Sequence, residues 1–284
     1  MSGASAADIR HHYDLGDDFY ALWLDPTRTY SCARWDGPDD TLEAAQLRKL
    51  DQLAAAAHAP AGGRVLDVGC GWGSMLRRLV ERHGVGHAAG LTLSDAQAAS
   101  IAAWADDRHT VHVESWAEHA PRAPYDAIVS IGAFEHFADY GVAREQRVEA
   151  YRAFFERCRQ WLPPGGRLVL QTIAKGGNVR IDRRTLRDAV FVTERIFRGS
   201  ELPWPSEILQ ASERRFEVVR VRNDAEDYRR TTQAWLDRLV ARRAEAQALV
   251  GGEAVADYER YLDASARSFA NGHLALMRIV LARV

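Results

Sequence analysis

Two carboxylates stand where chemistry could be done. The first, Asp67, precedes a loop that crowds three glycines into five positions within VLDVGCGWGS, residues 65–74. A glycine turn between a strand and a helix lets main chain approach a ligand, with Gly69 and Gly71 the positions of closest approach. A phosphate cradle, however, favours cations or bare N–H groups, and G-x-G-x-G is not the G-x-G-x-x-G of dinucleotide enzymes. An acid at that entrance points to a cationic ligand, and the sulfonium and ammonium of S-adenosylmethionine fit; a mere tight turn is the competing reading. The second carboxylate, Glu135, lies just beyond the strand-like YDAIVSIGA, residues 125–133. Open α/β sheets place their ligands at that strand edge, although a glutamate there is more often only solvated.

The elements that position these groups follow from pattern. Strand signals occur at Arg64–Val68, His87–Leu93, His109–Glu114, Tyr125–Ile131, Arg167–Ile173, Phe216–Arg222 and Leu274–Ala282, with helical spacing between most of them, as in Ser74–His83 before Gly84. Such alternation predicts βαβ units and a mainly parallel seven-stranded sheet. Upstream, residues 1–60 read as a helical cover rich in aromatics, whose second helix opens on an Asp40-to-Glu43 capping box ahead of Leu47, Leu50 and Leu53. The core spans 61–173. Residues 174–205 and 224–271 are too long for simple connections and are read as lids within a single domain, 1–284.

Composition narrows the partners. With 284 residues and 47% hydrophobic content the chain can bury a sizeable core, and a net charge of −2 gives no basic field for nucleic acid. Cys32, Cys70 and Cys158 are an odd set with no C-x-x-C pair, against a disulfide framework or a cysteine zinc site and in favour of a reducing cytoplasm. No window offers ~18 uninterrupted apolar residues, so membrane contact is expected to be peripheral at most.

Several longer stretches carry a family resemblance. HYDLGDDFYALWLDPTRTYSCARW (12–35), VLDVGCGWG (65–73), GLTLSDAQ (90–97), IGAFEHF (131–137) and FVTERIF (191–197) resemble the cyclopropane-fatty-acid and mycolic-acid cyclopropane synthases. These are class I S-adenosylmethionine-dependent methyltransferases, Rossmann-like α/β proteins acting on alkenes in acyl chains. The motifs thin out after about residue 240. The resemblance implies cofactor contacts from Tyr30, Ser31, the Asp67–Gly73 loop with Gly69, Gly71 and Gly73, Thr92, Gln97 and Trp116. Thr92 and Gln97 would serve the ribose. Ser94 to Gln97 is also a capping box, so Gln97 has a structural reading too. Ala117 stands where the family has an acid.

At the reacting end the resemblance implies a bicarbonate base held by Glu135, Tyr228 and backbone at Cys32 and Ile131. The family's histidine is Gln171 here, which donates hydrogen bonds but carries no charge. Tyr13 and Tyr30 are the aromatic faces expected to stabilise a carbocation, whereas Phe19 and Trp23 read as core. His136 reads either as a positioning residue or as a base. His109 and His112 point to opposite faces of a strand, so no metal site is expected. Arg180, Arg183, Arg184 and Arg187 form either a solvated face or a contact for a diphosphate, phosphopantetheine or anionic headgroup. The expected reaction is methyl transfer to an alkene carbon of an apolar acyl or isoprenoid-like substrate in lipid or secondary metabolism. Methylation of oxygen or nitrogen on a polar molecule, and non-catalytic cofactor binding, are the alternatives.

Overall fold

The computed structural model describes residues 15–284, so Tyr13 lies outside the described residues. Among the described residues seven strands, β1 (Arg64–Val68), β2 (His87–Thr92), β3 (His109–Val113), β4 (Ala127–Ile131), β5 (Arg167–Lys175), β6 (Phe216–Asn223) and β7 (Leu274–Arg283), form one sheet in the order β3-β2-β1-β4-β5-β7-β6. Strands β1 to β5 pair in parallel; β7 runs antiparallel to both β5 and β6 and is the one reversed strand. All carboxyl ends but that of β7 therefore meet on one edge. The central strands β1 and β4 are buried along nearly their whole length, which is why they read as continuous apolar runs, while β6 at the sheet edge is buried only at Phe216.

The described helices are α1 (Asp17–Ala21), α2 (Leu42–Ala56), α3 (Ser74–Glu81), α4 (Asp95–Ala102), α5 (Arg144–Trp161), α6 (Arg183–Phe191), α7 (Pro205–Ser212), α8 (Ala225–Ala241), α9 (Arg243–Val250) and α10 (Gly252–Ala270). The cover is less helical than its sequence suggests, because residues 22–41 between α1 and α2 hold no helix. The expected capping box gives way to a single cap one residue later. Thr41, not Asp40, has the extended backbone an N-cap needs, and its hydroxyl accepts the Ala44 N–H at 3.2 Å. Asp40 instead binds the Arg48 guanidinium.

One face of the sheet packs on α5 through Tyr151, Phe154 and Phe155, and the other packs on α2 and α3 through Leu50, Leu76 and Leu79. Above the strand ends lies a third cluster. It joins Phe19, Tyr20 and Trp23 of the cover to Trp235 of α8 and to Tyr258 and Tyr261 of α10. Phe19 and Trp23 are completely buried, so they are core, and the Tyr20 and Tyr258 hydroxyls share a hydrogen bond of 2.7 Å. The cover and the 224–271 segment thus share one aromatic roof.

Candidate active site

A concavity opens at the carboxyl ends of β1, β2 and β4, between the sheet edge and the aromatic roof. Its wall includes Tyr30, Ser31, Asp67, Gly69, Gly71, Thr92, Gln97, Trp116 and Ile131, so the residues assigned to a cofactor converge from separated segments. Gly73, at the N-cap of α3, is the exception and does not line it.

The glycines divide by purpose. Gly71 has φ +54°, and a Cβ there would meet nothing within 4 Å, so its bare main chain faces open space in which a ligand can lie against it. A Cβ on Gly69 would fall 2.4 Å from Ala133 Cβ, and one on Gly73 would fall 2.6 Å from Trp104. Those two positions are kept small by the protein itself. Gln97 takes part in the helix start and also lines the pocket. Its N–H donates to Ser94 Oγ at 3.3 Å as half of a capping box, while its side-chain oxygen accepts from the Thr92 hydroxyl at 2.7 Å and faces the pocket. Trp116 packs edge-on to Phe154, 5.5 Å between ring centres, and presents a flat apolar wall.

Asp67 is 2% exposed, and burial pushes its pKa up to about 7, opposed by the nearby Lys49. Its Oδ1 is buried with no partner among the described residues. A buried carboxylate oxygen without a donor is costly, and a ligand ammonium removes that cost. Together with the open main chain at Gly71, this fits the amino-acid end of S-adenosylmethionine. Lys49, which sequence reading passed over, lies in the same wall at 1% exposure and donates to Ser31 Oγ at 2.9 Å. Burial, with Arg278 adding to it, pulls its pKa down to about 7. The signal was present: Ala45, Gln46, Lys49, Leu50 and Leu53 make one buried stripe of α2, with a lysine in it.

The described residues expected at the reacting end gather around β4 and β5; Ile131 and His136 line the pocket, whereas Glu135, Cys32, Gln171 and Tyr228 do not. Glu135, in a single 3₁₀ turn after β4, is 6% exposed, and its Oε1 accepts the Ile173 N–H at 2.6 Å. Its Oε2 is buried with no partner among the described residues, and burial raises its pKa to about 7 against the lowering effect of that N–H. Ile131 pairs in register with Gln171, and Gln171 donates to the Cys32 carbonyl at 3.3 Å, so these three predicted residues are joined directly. The Cys32 thiol is raised to about 12 by burial, leaving the backbone as its useful part. Tyr228 is on α8, 8% exposed, with its ring stacked on Phe269 at 4.6 Å.

Gln171 is not a bare replacement for a histidine. Its Oε1 accepts from Arg278 Nε at 2.8 Å, and the same guanidinium reaches Asp224 at 2.6 Å, Asp227 at 3.3 Å and the Ala33 carbonyl at 2.8 Å. Desolvation works against the charge on Arg278, and those acids overcome it, raising its pKa. Sequence reading missed Arg278 because β7 looks like a plain apolar strand.

His136 also lines the pocket, with Nδ1 2.8 Å from Ser200 Oγ. Burial lowers its pKa to about 4, so its ring is neutral at pH 7. Tyr30 faces the pocket and lies in the aromatic roof, with Trp235 and Trp23 at 5.2 and 5.3 Å between ring centres; burial and then Tyr261 hold its hydroxyl well above the usual pKa. Among the described residues no cluster of histidine, cysteine or acid side chains has the arrangement of a metal site, and His109 binds Asp106 at 2.7 Å. No described helix is long and apolar enough to cross a membrane.

Known proteins with this arrangement can now be set beside it. The sequence model of the mycolic acid cyclopropane synthetase family matches residues 2–279, so the likeness continues past the region near residue 240 where recognisable motifs thin out. Cyclopropane mycolic acid synthase 2 of Mycobacterium bovis is 38% identical over 267 residues, covering 89% of this chain and 87% of its own. The structure of the cyclopropane synthase MmaA2 from Mycobacterium tuberculosis superposes with a TM-score of 0.91 at 33% identity, covering 99% of both chains. Mycolic acid cyclopropane synthase CmaA1, solved with S-adenosylhomocysteine and CTAB, gives 0.90 at 33% identity, again over 99% of both chains.

Proposed function

Because the chain belongs to the mycolic acid cyclopropane synthetase family and is an S-adenosylmethionine-dependent methyltransferase of the cyclopropane synthase type, we propose that its methyl acceptor is an alkene carbon in an apolar acyl or isoprenoid-like chain. The observation that carries this reading is Glu135, a buried carboxylate with one unpartnered oxygen beside a pocket roofed by aromatic rings.

When bound, S-adenosylmethionine supplies a sulfonium methyl that an alkene π-bond can take, leaving positive charge on the neighbouring carbon until a proton departs. The protein's part is to bind, shield and deprotonate. Asp67 Oδ1 would accept the ligand ammonium, Gly71 would give main-chain approach, and Thr92 with Gln97 would serve the ribose. Tyr30, faced by Trp23 and Trp235, offers a π-face to the developing cation, worth ~2 kcal/mol when desolvated. The roof excludes the water that would otherwise trap a carbocation as an alcohol. Glu135 Oε2 holds the acceptor end of the proton path. A bicarbonate bound there would satisfy Oε2 through its hydroxyl, would be held by backbone at Cys32 and Ile131 with Gln171 and Tyr228, and would supply a small diffusible proton acceptor. Arg278 holds Gln171 in that wall. His136, neutral and fixed by Ser200, orders the pocket side rather than taking the proton.

The test uses methyl-labelled S-adenosylmethionine with two substrate pools, an apolar acyl and isoprenoid extract and a polar metabolite extract, followed by mass spectrometry. Label on a former alkene carbon supports the reading. Label confined to oxygen or nitrogen of a polar molecule replaces it with heteroatom methylation.

A further inference from the structure

Helix α6 is amphipathic in the wrong direction for a surface helix. Its inward side carries Asp188, which binds Arg267 at 2.9 Å and Arg260 at 3.1 Å, and Phe191, which lies under the Arg260 guanidinium. Its outward side carries Leu186 and Val190, 56% and 46% exposed, at the i and i+4 positions of one face. Arg183 and Arg187 fall on that same face, at the spacing i, i+3, i+4, i+7 with the two aliphatic residues. The turn leading into α6 repeats the pattern. Val179 and Ile181 are 71% and 58% exposed with Arg180 between them.

An ordinary surface helix turns its apolar stripe inward. Here four aliphatic side chains within twelve residues face outward, interleaved with arginines. Arg180, Arg183 and Arg187 have no acidic partner among the described residues, unlike Arg184, which reaches Asp263 at 3.5 Å. Residues 174–198 hold seven basic side chains against three acidic ones, in a chain whose net charge is −2. Past α6, a π-helical turn (Val192–Ile196) leads directly to Phe197 and Arg198, which line the cofactor pocket. The patch therefore ends seven residues before the pocket-lining Phe197.

We propose that Val179, Ile181, Leu186 and Val190, framed by Arg180, Arg183 and Arg187, form a docking surface for an anionic lipid bilayer. The aliphatic side chains enter the headgroup and acyl boundary while the guanidiniums bind lipid phosphates bidentately. Such a surface holds the pocket mouth against the layer in which long apolar chains reside. An acidic carrier protein would satisfy the arginines but leaves four outward aliphatic groups at the tip of a short helix less well explained. The inference stands on this surface alone and does not depend on which atom is methylated.

The experiment is flotation of the full chain with vesicles of phosphatidylglycerol and phosphatidylcholine, against phosphatidylcholine alone, with S-adenosylmethionine affinity as the control for folding. Binding to the anionic vesicles is expected, at least tenfold weaker on neutral ones and in about 0.5 M NaCl, where the Debye length is only a few ångströms. The triple variant Arg180→Glu, Arg183→Glu, Arg187→Glu and the separate double variant Leu186→Asp, Val190→Asp should each lose binding at least tenfold while keeping cofactor affinity. Equal binding to neutral and anionic vesicles, variants that float like the parent, or capture by an acidic carrier protein with no flotation would each overturn the proposal.

Discussion

Two buried carboxylates, Asp67 in the pocket wall and Glu135 between the wall residues Ala133 and His136, differ in what faces them. Asp67 and Glu135 are both nearly inaccessible, both are pushed to about pKa 7 by burial, and each leaves one oxygen unpartnered among the described residues. Asp67 has the buried cation Lys49 beside it, which favours its ionised form. Glu135 has only dipoles, chiefly the Ile173 N–H. Equal burial therefore prepares two different tools. Both stand near the point where they can exchange a proton, and only Asp67 has a neighbouring cation that responds to its charge.

The largest effect should come from Glu135→Gln. If Glu135 handles the proton, turnover falls by about 10²–10⁴-fold, and calorimetry finds S-adenosylmethionine affinity unchanged. Loss of both together would make the two carboxylates parts of one binding site and would dissolve the contrast.

The same variant tests the energetics. Burial raises Glu135 from an ordinary 4.5 to about 7, so the stability of its protonated form is fully present below pH 4.5 and is lost as pH rises through about 7. Relative to the parent, Glu135→Gln should match it below pH 4.5 and exceed it by about 3 kcal/mol above pH 7. Urea melts at pH 4 and pH 8 measure the difference.

Asp67→Asn should act on binding instead. It exchanges an ion pair for a neutral contact, weakening S-adenosylmethionine by about tenfold to a hundredfold, the ~1.5–3 kcal/mol of a charged hydrogen bond. Folding should survive, since the amide costs less to bury than the carboxylate it replaces.

The smallest and sharpest effect is a pH profile. Because Asp67 must ionise to receive an ammonium, cofactor affinity should rise about tenfold per pH unit below 7 and level off above. Lys49→Met removes the charge that lowers the Asp67 pKa, so the plateau should begin at higher pH. Affinity at pH 9 should stay near that of the parent. An unshifted profile would mean that Lys49 acts only by holding Ser31.

The surroundings of the two carboxylates also differ in how far they could be read beforehand. The loop from Asp67 to Gly73 is contiguous, and its strand–turn–helix setting is local, so its place at the sheet edge was legible. The strands were legible for the same reason: β1 and β6 begin at the residues expected from their patterns, and β7 extends only one residue further than its pattern suggested. The cap of α2 was misplaced by one residue, since Asp40 and Thr41 are both capping types and only backbone conformation separates them. At the reacting end, Gln171 could be recognised as a departure, but its anchoring by Arg278 could not. That contact joins β5 to β7 across 107 positions of sequence.

Sequence alone thus determined the order of strands and helices, the glycine turn after β1 and the types of residue available for chemistry, because these are set by spacing within a few residues. Tertiary structure decided which carboxylate meets a cation, that Lys49 is buried beside Asp67, that Arg278 braces Gln171, and that α6 turns its aliphatic side chains outward. Burial and charge pairing arise only when distant segments exclude water together, and it is the loss of that water that moves each of these groups from its ordinary behaviour.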